Sequence, residues 1–199
     1  MSSTDSRTRQ ESCRKVDPSL LPLSQEKIDW LKSTIRDIPD FPKPGIIFKD
    51  LTTLLKDPEA FSFVIEVLAA RFQPLQPDYI AGIEARGFIL GAALAYRLGM
   101  GFLPIRKPGK LPYKVVRQSY QLEYGSDAVE IHVDAVAKGD KVVLIDDLLA
   151  TGGTASASCE LLAKIGAQLV GIGFVTELGF LSGRSKLPAE IDVYSMITF

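Results

Sequence analysis

The segment KVVLIDDLLATGGTASAS, residues 141–158, restricts the fold more than any other part of the chain. Residues 142–146 read as a buried strand, an apolar run of the length a parallel sheet requires that ends in two adjacent acids, Asp146 and Asp147. The pattern then breaks at Ala150-Thr151-Gly152-Gly153-Thr154, where small, turn-forming and hydroxyl-bearing residues replace any regular period. From Ala155 a helical spacing begins, with Ala157, Leu161, Leu162 and Ile165 on one side and Gly166 as its stop. The order is strand, small-residue loop, helix.

That order has a physical use. The first turn of a helix carries unpartnered N–H groups and the positive end of the dipole, so a loop without bulky side chains lets an anion sit directly on those donors. Thr151 and Thr154 add hydroxyl donors, and a phosphate monoester is the natural guest. Asp146 and Asp147 would repel that phosphate, so they require another partner: one or two hydroxyls, or a hydrated metal. A sugar lying between the loop and the acids meets both requirements. A Walker loop needs a Lys after its glycines, and none follows here. The dinucleotide fingerprint fails too: no Gly-x-Gly-x-x-Gly occurs, and Gly171-Ile172-Gly173 lies inside the next apolar strand.

The rest of the chain supplies strands and helices in alternation. At 199 residues and 46% hydrophobic content, one compact domain is expected over 24–199, behind a polar tail over 1–23 that should be disordered or loosely docked. Ser24 reads as a helix cap, with Ile28, Leu31 and Ile35 as the buried stripe and Pro39 as the stop. Asp57-Pro58-Glu59 starts a second helix with Phe61, Ile65, Leu68 and Phe72 inward. Buried strands are expected at 79–83, 101–105, 169–175 and 193–199, and a further helix at 88–98. Residues 119–133 read as an antiparallel hairpin, on whose polar face Glu130 and His132 should meet solvent. The fold class is therefore α/β: a mostly parallel sheet flanked by helices, with an antiparallel hairpin or flexible loop over a site at the carboxyl edge.

Charge and composition narrow the chemistry. A formal net charge of −1 leaves no footprint for nucleic acid, and no apolar run reaches membrane-spanning length, so neither partner is expected and a cytoplasmic location is. One histidine excludes a multi-histidine metal site, and two cysteines, Cys13 and Cys159, make no disulfide framework. Carboxylates, Lys, Arg and backbone must carry the reaction. Glu84-Ala85-Arg86-Gly87 follows a strand, and Arg86 can meet a phosphate or diphosphate through its planar fork, or else pair with Glu84. The basic, Pro- and Gly-broken segment 106–114 can close over an anionic substrate or lie as a solvated loop. The stiff run 40–50 either presents an apolar edge to a flat heterocycle or merely leads into a short strand.

Taken together, VVLIDDLLATGGT, Phe41-Pro42-x-Pro44-Gly45-Ile46-Ile47-Phe48, Glu84-Ala85-Arg86-Gly87-Phe88, the segment from Ile105 through Gly109-Lys110-Leu111-Pro112, and Leu122-Glu123-Tyr124-Gly125 resemble the type I phosphoribosyltransferase family. The first of these is common to the family; the other four point to its adenine branch. The guanine, hypoxanthine, xanthine and orotate branches share the first, as does a regulator that keeps the fold without turnover. Against a regulator stand the intact basic loop and Glu123. The resemblance implies a purine salvage enzyme that moves the 5-phosphoribosyl group of phosphoribosyl diphosphate (PRPP) to adenine, giving AMP and diphosphate, with Mg²⁺ carried by PRPP and water rather than by direct protein ligands. It implies a homodimer as well. By the same resemblance, Arg86, Lys107 and Lys110 take the diphosphate, Asp146 and Asp147 the ribose hydroxyls, and Ala150, Thr151, Gly152, Gly153 and Thr154 the 5′-phosphate. Ile46, Ile47, Phe48 and Lys49 border adenine, Glu123 transfers a proton at a purine nitrogen, Tyr124 helps close the site, and Arg86 and Lys107 act with Glu123 in catalysis. Lys49 stands where the family pattern leads one to expect Arg.

Overall fold

Strands that are buried on both faces read as continuous apolar runs, and this property sets the centre of the molecule. The structure, a computed structural model, describes residues 15–121 and 125–199. Its main sheet joins β3 (Tyr79–Ile83), β4 (Gly101–Ile105), β7 (Lys141–Leu149), β8 (Gln168–Glu177) and β9 (Val193–Thr198), ordered β4-β3-β7-β8-β9 and parallel throughout. The strand that carries the paired acids is thus the middle one. Two antiparallel pairs stand apart from this sheet: β1 (Arg36–Pro39) with β2 (Ile47–Asp50), and β5 (Val115–Gln121) with β6 (Ser126–His132).

The period of two along β7 divides the core. Val143 and Ile145 pack with α1 (Gln25–Thr34), α3 (Pro58–Phe72) and α4 (Arg86–Leu98), whereas Val142 and Leu144 pack with α5 (Gly153–Lys164) and the inner residues Val129 and Ile131 of β6. A short helix, α2 (Thr52–Lys56), links β2 to α3. Asp57 caps α3 by accepting from the Glu59 and Ala60 N–H groups at 2.9 and 3.1 Å, as the Asp-Pro-Glu start predicts. Among the described residues no helix is long and apolar enough to cross a membrane.

Several expectations are corrected. The first helix ends at Thr34 rather than at Pro39, because Ile35 turns extended and 36–39 enter the ladder with β2, held by Arg36 on Asp50 and Lys49 on Asp37. Residues 15–23 belong to the tail expected to be disordered or loosely docked; in them Val16, Leu20, Leu21 and Leu23 lie against the core, and Arg97 donates to the Lys15 carbonyl at 3.2 Å. Four apolar side chains among polar neighbours suffice for that. Residues 1–14, Cys13 included, lie outside the described residues. Glu130 and His132 do not face solvent. Glu130 is 6% exposed because the basic loop covers it, and His132 packs edge-on to Tyr113 with ring centroids 6.1 Å apart. Cys159 is buried in α5, where desolvation pushes its thiol up to about 12, which suits a packing residue and no nucleophile.

Candidate active site

The carboxyl ends of β3, β4 and β7 open into a cavity of about 300 Å³ whose wall includes Glu84, Arg86, Lys107, Asp146, Asp147 and Thr154. Three segments far apart in sequence therefore meet where the strand order places them. The sequence reading put both acids at a strand end; β7 in fact runs on to Leu149, with Leu148 and Leu149 paired to Thr176 and Glu177. The acids are thereby fixed within the ladder.

Both acids reach toward the first turn of α4, which starts at Arg86 rather than Phe88. Arg86 Nε donates to Asp147 Oδ2, while the Asp147 N–H donates to Asp146 Oδ1 at 2.9 Å. The predicted alternative partner of Arg86, Glu84, is engaged elsewhere. Asp147 is 5% exposed and paired with Arg86; Asp146 borders the cavity, and among the described residues no cation forms an ion pair with its carboxylate. Burial and the neighbouring Asp147 raise the pKa of Asp146 well above the carboxylate range. An acid so placed gains from hydroxyl donors or a hydrated cation, which restore what burial removed.

The basic loop is held by two carboxylates. Glu84 accepts from Arg106 at 3.1 and 3.3 Å and from the Lys107 N–H at 3.0 Å, and Glu130 accepts from the Gly109 N–H at 3.0 Å. Arg106 and Glu130 also exchange backbone bonds, at 2.9 and 2.8 Å. The Arg106 guanidinium, with the Lys107 N–H, holds Glu84 below its usual pKa. The loop is thus pinned rather than freely solvated. It directs Lys107 to the cavity wall, while Lys110 is exposed and offers its carbonyl to Arg106 at 3.1 Å.

The phosphate loop shows how local sequence sets local shape. Gly152 has φ +77°, a left-handed conformation that glycine adopts without a Cβ penalty, and α5 starts at Gly153 with no side chain capping its first turn. A Cβ at Gly152 would overlap the Gly183 carbonyl oxygen, and one at Gly183 would overlap the Ala150 carbonyl. Thr154 faces the cavity and Thr151 is exposed beside it. First-turn amides, the Thr151 hydroxyl and the dipole end converge as an anion cradle, while the Thr154 hydroxyl donates to Tyr120 at 3.1 Å.

On the other side, β1 and β2 form a flap. Ile46 and Ile47 are 45% and 57% exposed, and the Phe48 ring lies 5.8 Å from the Arg86 guanidinium carbon, so the flap adjoins the cavity. Lys49 reaches instead to Asp37 at 2.7 Å and over the Phe199 ring at 4.2 Å. Glu123 and Tyr124 lie outside the described residues. Sequence reasoning missed Tyr120, Asp127 and Glu130. The first two are register partners in the hairpin, a relation that the alternation of 119–133 contains once the turn is fixed.

A five-stranded parallel sheet with an anion cradle after its middle strand and paired acids before it defines a phosphoribosyltransferase of type I, and residues 50–198 match the phosphoribosyl transferase domain family. The chain is 56% identical over 169 residues to the adenine phosphoribosyltransferase of Synechococcus sp., covering 85% of this chain and 98% of that protein. The crystal structure of adenine phosphoribosyltransferase from Rhodothermus marinus matches with a TM-score of 0.84 at 47% identity, over 88% of this chain and 100% of the other. That of Saccharomyces cerevisiae, complexed with an imino-altritol bisphosphate and adenine, matches at 0.82 and 39% identity, over 86% and 98%. The chain belongs to the adenine phosphoribosyltransferases, and is a transferase.

Proposed function

We propose that the enzyme transfers the 5-phosphoribosyl group of PRPP to adenine, releasing diphosphate and forming AMP, in a Mg²⁺-dependent reaction. The observation that carries this reading is the shared cavity: an uncapped helix start for the 5′-phosphate, Asp146 and Asp147 for the ribose hydroxyls, and Arg86 and Lys107 on the wall between them. The bond from the anomeric carbon to the diphosphate oxygen breaks, the oxygen leaving with the electron pair. A purine nitrogen then bonds to the same carbon from the opposite side and loses its proton. Positive charge accumulates on the sugar and negative charge on the departing group, so fixed donors aimed at the diphosphate contribute most. Arg86 offers a planar fork and Lys107 a compact charge for this purpose.

We infer that the ion arrives on PRPP and would meet Asp146 and Asp147 through water. Mg²⁺ bound in that way supplies a Lewis acid that neutralises the diphosphate. The exposed edge of Ile46 and Ile47, next to Phe48, is of a size and character to border adenine, with Lys49 contributing its backbone alone. We assign proton transfer at the purine to Glu123 and closure to Tyr124, on the resemblance of their segment to the family. Glu123→Ala should then lose turnover while retaining PRPP binding. The face of α4 bearing Ile89, 47% exposed, and Tyr96, 90% exposed, supports a homodimer, which light scattering after gel filtration tests.

The deciding experiment incubates the enzyme with PRPP and Mg²⁺ and, in parallel, adenine, guanine, hypoxanthine or orotate, and separates the nucleotides by chromatography. AMP from adenine alone is expected. Nucleotide from another base overturns the base assignment, and PRPP binding without product from any base favours a PRPP-sensing regulator.

A further inference from the structure

The Tyr120 hydroxyl is saturated in an unusual way. It accepts from Lys107 Nζ at 2.7 Å and from Thr154 Oγ1 at 3.1 Å, and donates its one proton to Asp127 Oδ2 at 3.1 Å. A hydroxyl has one donor and two acceptor sites, so all are used. Asp127 also accepts directly from Lys107 Nζ. The four residues come from four segments: the basic loop, β5, β6 and the first turn of α5. Tyr120 and Asp127 face each other as register partners, and the Tyr120 ring lies against the start of α5 at Gly153.

An ammonium group has three donors, and Tyr120 and Asp127 occupy two of them. One donor remains, and Lys107 lines the cavity together with Thr154. We propose that Tyr120 and Asp127 are positioning residues that aim Lys107 at the diphosphate of PRPP and, through Thr154, couple that placement to the cradle for the 5′-phosphate. The proposal rests on the reading of the cavity as a PRPP site. Without the pair, Lys107 is a four-carbon stem with free rotamers, and its entropy must be lost when substrate binds. With the pair, that loss is made in folding. Burial lowers the pKa of Lys107, but the Asp127 carboxylate and Tyr120 hydroxyl outweigh it and leave the ammonium above its usual value, so the charge is secure. Lys107, in turn, holds Asp127 below its usual range. The Lys107 and Asp127 side chains are about a third exposed, at 37% and 32%, so their ion pair contributes little to global stability and its loss should leave the fold intact.

The test is calorimetric binding of PRPP with Mg²⁺ and no base, comparing Asp127→Asn and Tyr120→Phe in the natural chain and in a Lys107→Ala background. In the presence of Lys107 each change should weaken PRPP binding about tenfold, the scale of one lost hydrogen bond to a charged group. In the Lys107→Ala background neither should weaken it further, and Asp127→Glu should recover part of the loss. Equal weakening in both backgrounds would show that the pair acts independently of Lys107, and unchanged or tighter binding with Lys107 present would show that it does not aim the group; either overturns the proposal. Because no base is present, failure of the natural chain to form AMP counts against the adenine assignment alone.

Discussion

Arg86 Nε donates to the Asp147 carboxylate, joining the first residue of α4 to the middle strand of the sheet at the cavity floor. This bond uses Nε and none of the Nη donors, so the guanidinium is oriented before any substrate arrives. Orientation in advance is what an electrostatic site requires, since donors that must reorganise lose part of their effect.

Arg86→Ala should therefore lower kcat/KM for PRPP by about 10²- to 10³-fold, the range found when one fixed donor to developing charge is removed. Arg86→Lys should recover little, because an ammonium cannot reproduce the fork. Asp147, left unpaired at 5% exposure, should cost stability as well. The arginine side chain is 36% exposed, which holds that loss to about 1 kcal/mol. Steady-state kinetics and thermal unfolding measure the two effects separately.

Asp146 gives a prediction with a definite sign. Its pKa is raised in the folded chain, so the folded state keeps this proton to higher pH than the unfolded state does. Its contribution to stability is present at and below the ordinary carboxylate range and is lost as pH rises toward its folded value. Asp146→Asn removes that penalty and keeps the oxygen that accepts from the Asp147 N–H. The variant should melt higher than the natural enzyme at neutral pH, with the gain vanishing in acid, and should lose turnover. A lower melting temperature at pH 7 would contradict this account.

Gly152→Ala meets two obstacles: a left-handed φ of +77° and the Gly183 carbonyl. Strain of about 1–3 kcal/mol is expected, expressed as a loop that has moved off Gly183. PRPP affinity should fall with it, because the cradle and that loop are the same backbone. Calorimetry with PRPP and a thermal melt on one sample test the link.

Lys49→Ala should leave selectivity among adenine, guanine and hypoxanthine unchanged, since the side chain points to Asp37 and Phe199 rather than to the cavity. Competition between bases at fixed PRPP is the measurement. A shift of preference toward a six-oxopurine would show that the side chain reaches the base after all.

How much could be read beforehand depended on the kind of residue. β3 was legible to its end residues because burial on both faces leaves an uninterrupted apolar run, and β4, an edge strand of alternating burial, because its apolar residues are bounded by Gly101 and Arg106. The Asp57 cap was legible because one side chain decides it. The partners of charged groups were not. Arg86 pairs with Asp147, 61 residues away, and Glu84 pairs with Arg106, 22 away, and nothing local distinguishes these from the adjacent alternative. Glu130 looked like a solvent-facing acid for a similar reason. What lies over a hairpin face depends on the path of another loop. The acids, Arg86, Lys107 and Thr154 were anticipated as a group, and the cavity brings them together; Lys110 stands outside it.

The contact between Gly152 and Gly183 also bears on when the chain becomes competent during synthesis. The turn that shapes the anion cradle lies beyond α5 and β8, and β9 closes the sheet only at the carboxyl end. A nascent or truncated chain that includes the whole of VVLIDDLLATGGT but stops short of Gly183 carries the motif without its mould. Such fragments should be inert toward phosphate, since recognition of the sugar phosphate requires a chain that extends past Gly183.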